Sequence, residues 1–69
     1  MSDETTSLGD ALPKEQARVR EVLAEYKKIP QGVFGAVIIE QALKNADEAV
    51  ISGNIFAMIA AYEELKEIE

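Results

Sequence analysis

The chain has 69 residues, 48% of them hydrophobic, and a formal charge of −6 at neutral pH, with neither cysteine nor histidine. A chain this short buries only about 60% of its unfolded surface, and the missing residue types exclude disulfides, thiolate or imidazole metal sites and histidine-activated nucleophiles as aids or as chemistry. Oligomerisation is the remaining aid for a small domain, and the negative charge opposes direct binding to a nucleic-acid backbone.

Residues 1–9, MSDETTSLG, are polar and acidic. They offer too little apolar surface to offset the entropy of ordering, so a disordered acidic tail is expected there, with 10–69 as a single helical domain. Such a start lacks the basic and apolar regions of a secretory leader, and no apolar run approaches the ~20 residues of a membrane helix; the expectation is a cytoplasmic protein with no membrane contact.

The first helix is predicted to start near Asp10 or Leu12. Asp10 would be its cap, and Pro13 would sit in the first turn, where a missing N–H costs nothing. Val19, Val22, Leu23, Tyr26 and Ile29 recur at helical spacing and form its buried stripe. Lys27 and Lys28 suit a helix C-terminus, and Pro30 disfavours helical geometry at Ile29. Pro30–Gln31–Gly32 is then a turn.

The second helix is predicted over Val33–Ser52, the stretch around which the chain is organised. Ile39, Ala42, Leu43, Ala46, Ala49 and Val50 form an apolar stripe, and Glu40, Gln41, Lys44, Asp47 and Glu48 fill the other side. Glu40 and Lys44, four apart with the acid first, are expected to pair. Val33–Ile39 is apolar all round, which predicts cover on several sides, by other helices or by a second copy of the chain. A buried strand is the rival reading of that short β-branched run, but no partner strand is evident. Gly53 is expected to close the helix in the left-handed conformation, and Asn54 to cap the next one. A break this short returns the third helix antiparallel over Ile55–Lys66, with Ile55, Met58, Ile59, Tyr62 and Leu65 inside. Gly35, Ala42, Ala46, Ala49 and Gly53 would let a neighbouring helix approach closely. The expected fold is all-α: a three-helix domain, made of a helical hairpin over 33–67 plus an N-terminal helix, acting as a homodimer.

Few residues invite chemistry. Gly32-Val-Phe-Gly35 opens a helix, and its spacing resembles the clamp of KH domains, yet its middle residues are apolar and the strands of that fold are missing. Gly32 is expected to be a turn residue and Gly35 a packing contact. The carboxylate pairs Glu21/Glu25, Asp47/Glu48 and Glu63/Glu67 fall on predicted solvent faces, with no cleft to shift a pKa. Ser7 and Ser52 have no activating base. The expectation is no catalytic, cofactor or metal site, and no enzyme. The candidate residues for a partner or dimer interface are Phe34, Val37, Ile38, Tyr26, Phe56 and Tyr62. The bases Lys14, Arg18, Arg20, Lys27 and Lys28 of the first helix are expected to pair with Glu21 and Glu25, or else to steer the helix toward the acidic half of another chain.

Two resemblances bear on this reading. Ala42–Leu65 is similar to one tetratricopeptide unit, with Ser52-Gly53-Asn54 at the inter-helix turn and Tyr62 at the aromatic position of the second helix. Met58 and Leu65 stand where that family has alanine, and a single copy cannot bury its faces, so the likeness implies a shared hairpin geometry. Over nearly the whole chain, SLGDALPKEQARVREVL, GVFGAVIIEQAL and ADEAVISGNIFAMIAAYEELKE resemble a group of small uncharacterised proteins encoded by phages and bacterial prophages. That resemblance implies a bacterial or phage setting and carries no activity or site residues. The functional expectation is a non-enzymatic protein–protein interaction protein that self-associates and binds a host or phage protein. The alternative is an acidic nucleic-acid mimic, with Glu40, Asp47, Glu48, Glu63, Glu64 and Glu67 imitating a phosphate array on a DNA-binding protein.

Overall fold

The computed structural model describes residues 3–69, with side chains from Leu8 onward. Three helices account for nearly all of it: α1 (Asp3–Lys27), α2 (Val33–Ser52) and α3 (Ile55–Lys66), with a single 3₁₀ turn, Pro30–Gly32, between the first two. Among the described residues there is no strand, and Val33–Ile39 is helical.

The limits of α2 and α3 fall where local chemistry puts them. Pro30 holds Ile29 in extended geometry at φ −105°, ψ 122°, as a residue before proline requires. The Gly32 N–H then donates to the Ile29 carbonyl at 2.8 Å. At the other end Gly53 takes φ +70° and donates to the carbonyls of Ala49 and Val50, the left-handed closure that a side chain would strain. Asn54 caps α3: its Oδ1 accepts from the Phe56 and Ala57 N–H groups at 3.0 and 3.2 Å.

The start of α1 departs from expectation. The helix begins at Asp3 and not near Asp10 or Leu12, so Pro13 lies in its interior rather than in its first turn, and Asp10 is no cap. Of the tail expected over residues 1–9, Met1 and Ser2 lie outside the described residues and 3–9 belong to α1. Pro13 has no N–H for the Gly9 carbonyl, and a proline inside a helix costs about 3 kcal/mol. Leu12, fully buried, and Leu8, packed against the core, supply the apolar contact that offsets this.

The helices run up, down and up, and each touches both others. Lys27 reaches Glu40 and Arg20 reaches Asp47, which fixes α1 antiparallel to α2. Arg18 reaches the Leu65 carbonyl and Tyr26 that of Glu69, which sets α3 alongside α1 in the same direction. The result is slender, 44 × 22 × 15 Å, with a radius of gyration of 12.7 Å, where a rounder chain of this length has about 11 Å.

The core contains Leu12, Val19, Ile39, Leu43 and Leu65, but half of its ten buried apolar residues are alanines: Ala36, Ala42, Ala46, Ala49 and Ala61. Of the small residues expected to admit a neighbouring helix, Ala42, Ala46 and Ala49 are buried, while Gly53 is exposed at the turn with nothing packed on it. Gly35 lies under the Tyr26 ring, where a Cβ would come within 2.6 Å of Cε2.

Several residues placed inside by periodicity are outside. Ile29, Ile55, Val50 and Ile59 are 44–50% exposed. The cover expected over Val33–Ile39 is not provided within the chain: only Ala36 and Ile39 are buried there, while Val33, Phe34, Val37 and Ile38 are exposed. The reason is the side of the helix they occupy. The neighbouring helices pack on one face of α2, that of Ala36, Ile39, Ala42, Leu43, Ala46 and Ala49, and Tyr26 lies over Gly35 beside it, whereas Val33, Phe34, Val37 and Ile38 lie on the opposite face, in line with the exposed Gln41, Lys44, Asn45 and Glu48.

Candidate functional site

Charge is distributed in bands. Ile29–Ile39 and Ala49–Tyr62 contain no charged residue, while α1, Glu40–Glu48 and Glu63–Glu69 carry nearly all of the charge. Within the charged bands, most bases of α1 are engaged by acids of the same chain. The Arg20 guanidinium bridges both carboxylate oxygens of Asp47 at 3.0 Å, and Gln16 donates to one of them at 2.8 Å. Asp47, expected on a solvent face, is therefore drawn against α1. Glu40 pairs with Lys27 at 3.1 Å rather than with Lys44. Lys28 pairs with Glu25, one of the two partners expected for the α1 bases.

Arg18 has a raised pKa. Its hydrogen bond to Glu15, at 2.8 Å, holds the guanidinium charged and raises its pKa despite an opposing desolvation effect. A raised base contributes stability below its unfolded pKa and loses it only as pH climbs through the folded value, so this pair is constant through neutral and mildly alkaline conditions. The same guanidinium donates to the Leu65 carbonyl at 2.9 Å. That places a cation at the negative end of the α3 dipole.

The hydroxyl of Ser52 is occupied by the turn: it donates to the Ala49 carbonyl and accepts from the Asn54 N–H. Ser7 lies outside the described side chains. Among the described residues no polar or charged residue is buried, and no three acids converge on a point that would hold a metal ion. A groove of about 490 Å³ lies between α2 and α3, lined by Asn45, Ala57, Ala60, Ala61, Glu63, Glu64 and Glu67. It opens to solvent. Its polar lining is three exposed carboxylates and an amide that already accepts from Gln41 at 3.0 Å, so it lacks the converging donors that orient a small ligand.

The six residues expected at an interface divide into three places. Phe34, Val37 and Ile38 share the exposed face at the start of α2, with Val33 beside them and Ile29 shortly before it. Their exposures are high: Phe34 84%, Val37 59%, Ile38 67%. Phe56 is 80% exposed on α3, next to the turn that carries Ile51 and Ile55, at the opposite end of α2. Tyr26 and Tyr62 lie between, half-buried against the core. The Tyr26 hydroxyl donates to the Glu69 main-chain oxygen at 3.3 Å, and Lys66 sits 5.1 Å from the Tyr62 ring centre. The two tyrosines and the two phenylalanines therefore do not share one groove. Of the apolar residues at the α2–α3 turn, Val50, Ile55 and Ile59 are expected inside from periodicity and Ile51 belongs to no expected stripe, yet all four are exposed. The uncharged run Ala49–Tyr62 was the signal that would have found them.

Neither family models nor curated proteins nor solved structures contain a match to this chain. Among the described residues no helix is long and apolar enough to cross a membrane.

Proposed function

We propose that this chain is a non-enzymatic protein–protein interaction protein that works as a homodimer. One observation carries the reading. Both phenylalanines, the largest purely apolar side chains present, are more than three-quarters exposed, while half of the buried apolar residues are alanines. Burying such a side chain stabilises by about 1.5–3 kcal/mol, and this fold leaves that gain to be realised by contact with another molecule. The resemblance to small phage and prophage proteins implies a bacterial or phage setting and no activity; within that setting we propose an accessory role with a host or phage protein as the partner.

The acidic-mimic alternative loses ground on its own residues. Three of its six carboxylates are engaged by bases of the same chain, Glu40 by Lys27, Asp47 by Arg20 and Glu63 by Lys66, leaving Glu48, Glu64 and Glu67 as the remaining array. Affinity capture from the native host lysate, washed at low and high salt, separates the two readings. An apolar contact holds a partner through the high-salt wash, whereas a phosphate-like array releases it, because exposed charges are screened within about 10 Å at 0.1 M salt. Sedimentation showing a monomer at high concentration, together with no partner retained at either salt, overturns the interaction reading.

A further inference from the structure

Accepting the interaction reading, we propose that a second copy of this chain covers the exposed apolar face at the start of α2, with the two α2 helices packed antiparallel across a two-fold axis that passes between Phe34 and Val37, level with Gly35 and Ala36 on the far side of the helix. The occupant follows from charge and area together. Ile29–Ile39 has no charged residue, so two chains of −6 can meet there without apposing like charges. A basic partner would be drawn to the acidic bands and not to this uncharged end. Ile29, Val33, Phe34, Val37 and Ile38 expose on the order of 500 Å² per copy, so a symmetric pair buries about 1,000 Å², the lower limit of a specific interface. The dimer is therefore expected to be reversible in the micromolar range.

Orientation follows from what lies further along the same face of α2. Lys44 and Glu48 are exposed on it, one and two turns beyond Gln41. A parallel pair would set Lys44 against Lys44 and Glu48 against Glu48 of the second copy. An antiparallel pair centred on the apolar end sets Phe34 against Val37 of the second copy and Val33 against Ile38. It carries Glu48 past the start of the opposing α2 and points the two helix dipoles in opposite directions.

Sedimentation and spin labelling test this on the full chain, which has no native cysteine to interfere. Phe34→Asp should weaken self-association at least tenfold while leaving the circular-dichroism melt of dilute protein unchanged, and Ile51→Asp should leave self-association unchanged. A spin label on Ile51→Cys, 85% exposed and remote from the seam, should report a separation of about 45 Å in the antiparallel dimer, given 1.5 Å per residue on either side of the axis. A separation of about 10–20 Å means parallel helices and overturns the orientation. A dimer indifferent to Phe34→Asp overturns the choice of face. A monomer at about 100 μM overturns the self-pairing altogether, and a partner still captured from lysate through a high-salt wash would then leave the broader interaction reading standing.

Discussion

α2 holds two regions of different composition and opposite fate: Val33–Ile38 is uncharged and apolar, whereas Ala42–Ala49 alternates apolar with polar residues. In Val33–Ile38 the large side chains face solvent, and Ala36 alone is buried. In Ala42–Ala49 every apolar residue is buried, and the exposed positions are polar. Both are helical and belong to one rigid element. What separates them is the outer face: the neighbouring helices cover the same side of α2 in both, and the residues on the other side are apolar in the first region and polar in the second. Apolar character thus says that a surface is suited to burial, and the placement of neighbouring elements decides whether the chain itself supplies the cover.

Substitutions in the two regions should diverge by several kcal/mol, and the largest effect is expected in the middle. Leu43→Ala removes a side chain from the alanine-rich core, where neighbouring small residues cannot collapse into the space, and should cost about 2–5 kcal/mol in urea unfolding. Gly32→Ala attacks the joint that positions the start of α2. A Cβ there collides with the Tyr26 carbonyl, which is backbone and cannot swing aside; about 1–3 kcal/mol should be lost, read as a lower midpoint of thermal unfolding. Asn54→Ala deletes the cap of α3, whose Oδ1 serves two N–H groups, and should cost about 1 kcal/mol in the same assay. Phe34→Ala should change the stability of dilute protein by less than about 0.5 kcal/mol, because nothing within the chain packs on it. If Phe34→Ala and Leu43→Ala prove equally damaging at high dilution, the contrast between the regions is void.

The helix limits were legible because they are written in adjacent residues. Val33–Ser52 and Ile55–Lys66 follow from Pro30, Gly32, Gly53 and Asn54, each acting within two or three positions of itself. Pro13 misled for the same reason. It has the local look of a first helical residue, and only the non-local burial of Leu12 and Leu8 shows the helix continuing through it. Periodicity placed Ile39, Leu43 and Leu65 inside correctly, and it failed at Val50, Ile55 and Ile59, since a repeat of 3.6 fixes which residues share a face and not where the opposing helix stops. The engagement of Arg20 with Asp47 and of Arg18 with the Leu65 carbonyl spans 27 and 47 residues, and no nearby pattern encodes either one. The division of the candidate surface into two ends was half legible: the run Val33–Ile39 stood out at once, whereas the α2–α3 turn was read for its hairpin chemistry, and its exposed apolar rim went unnoticed.

The grip of Arg18 on Leu65 has a consequence for the last turn of α3. A 12-residue helix is marginal by itself in water, and the last turn of α3 carries acids where its own dipole disfavours them. That turn carries one cation of its own, Lys66, beside Glu63, and gains a second where the Arg18 guanidinium meets the Leu65 carbonyl. The hairpin of α2 and α3 closes at the Gly53 turn, and its open end is tied to the middle of α1.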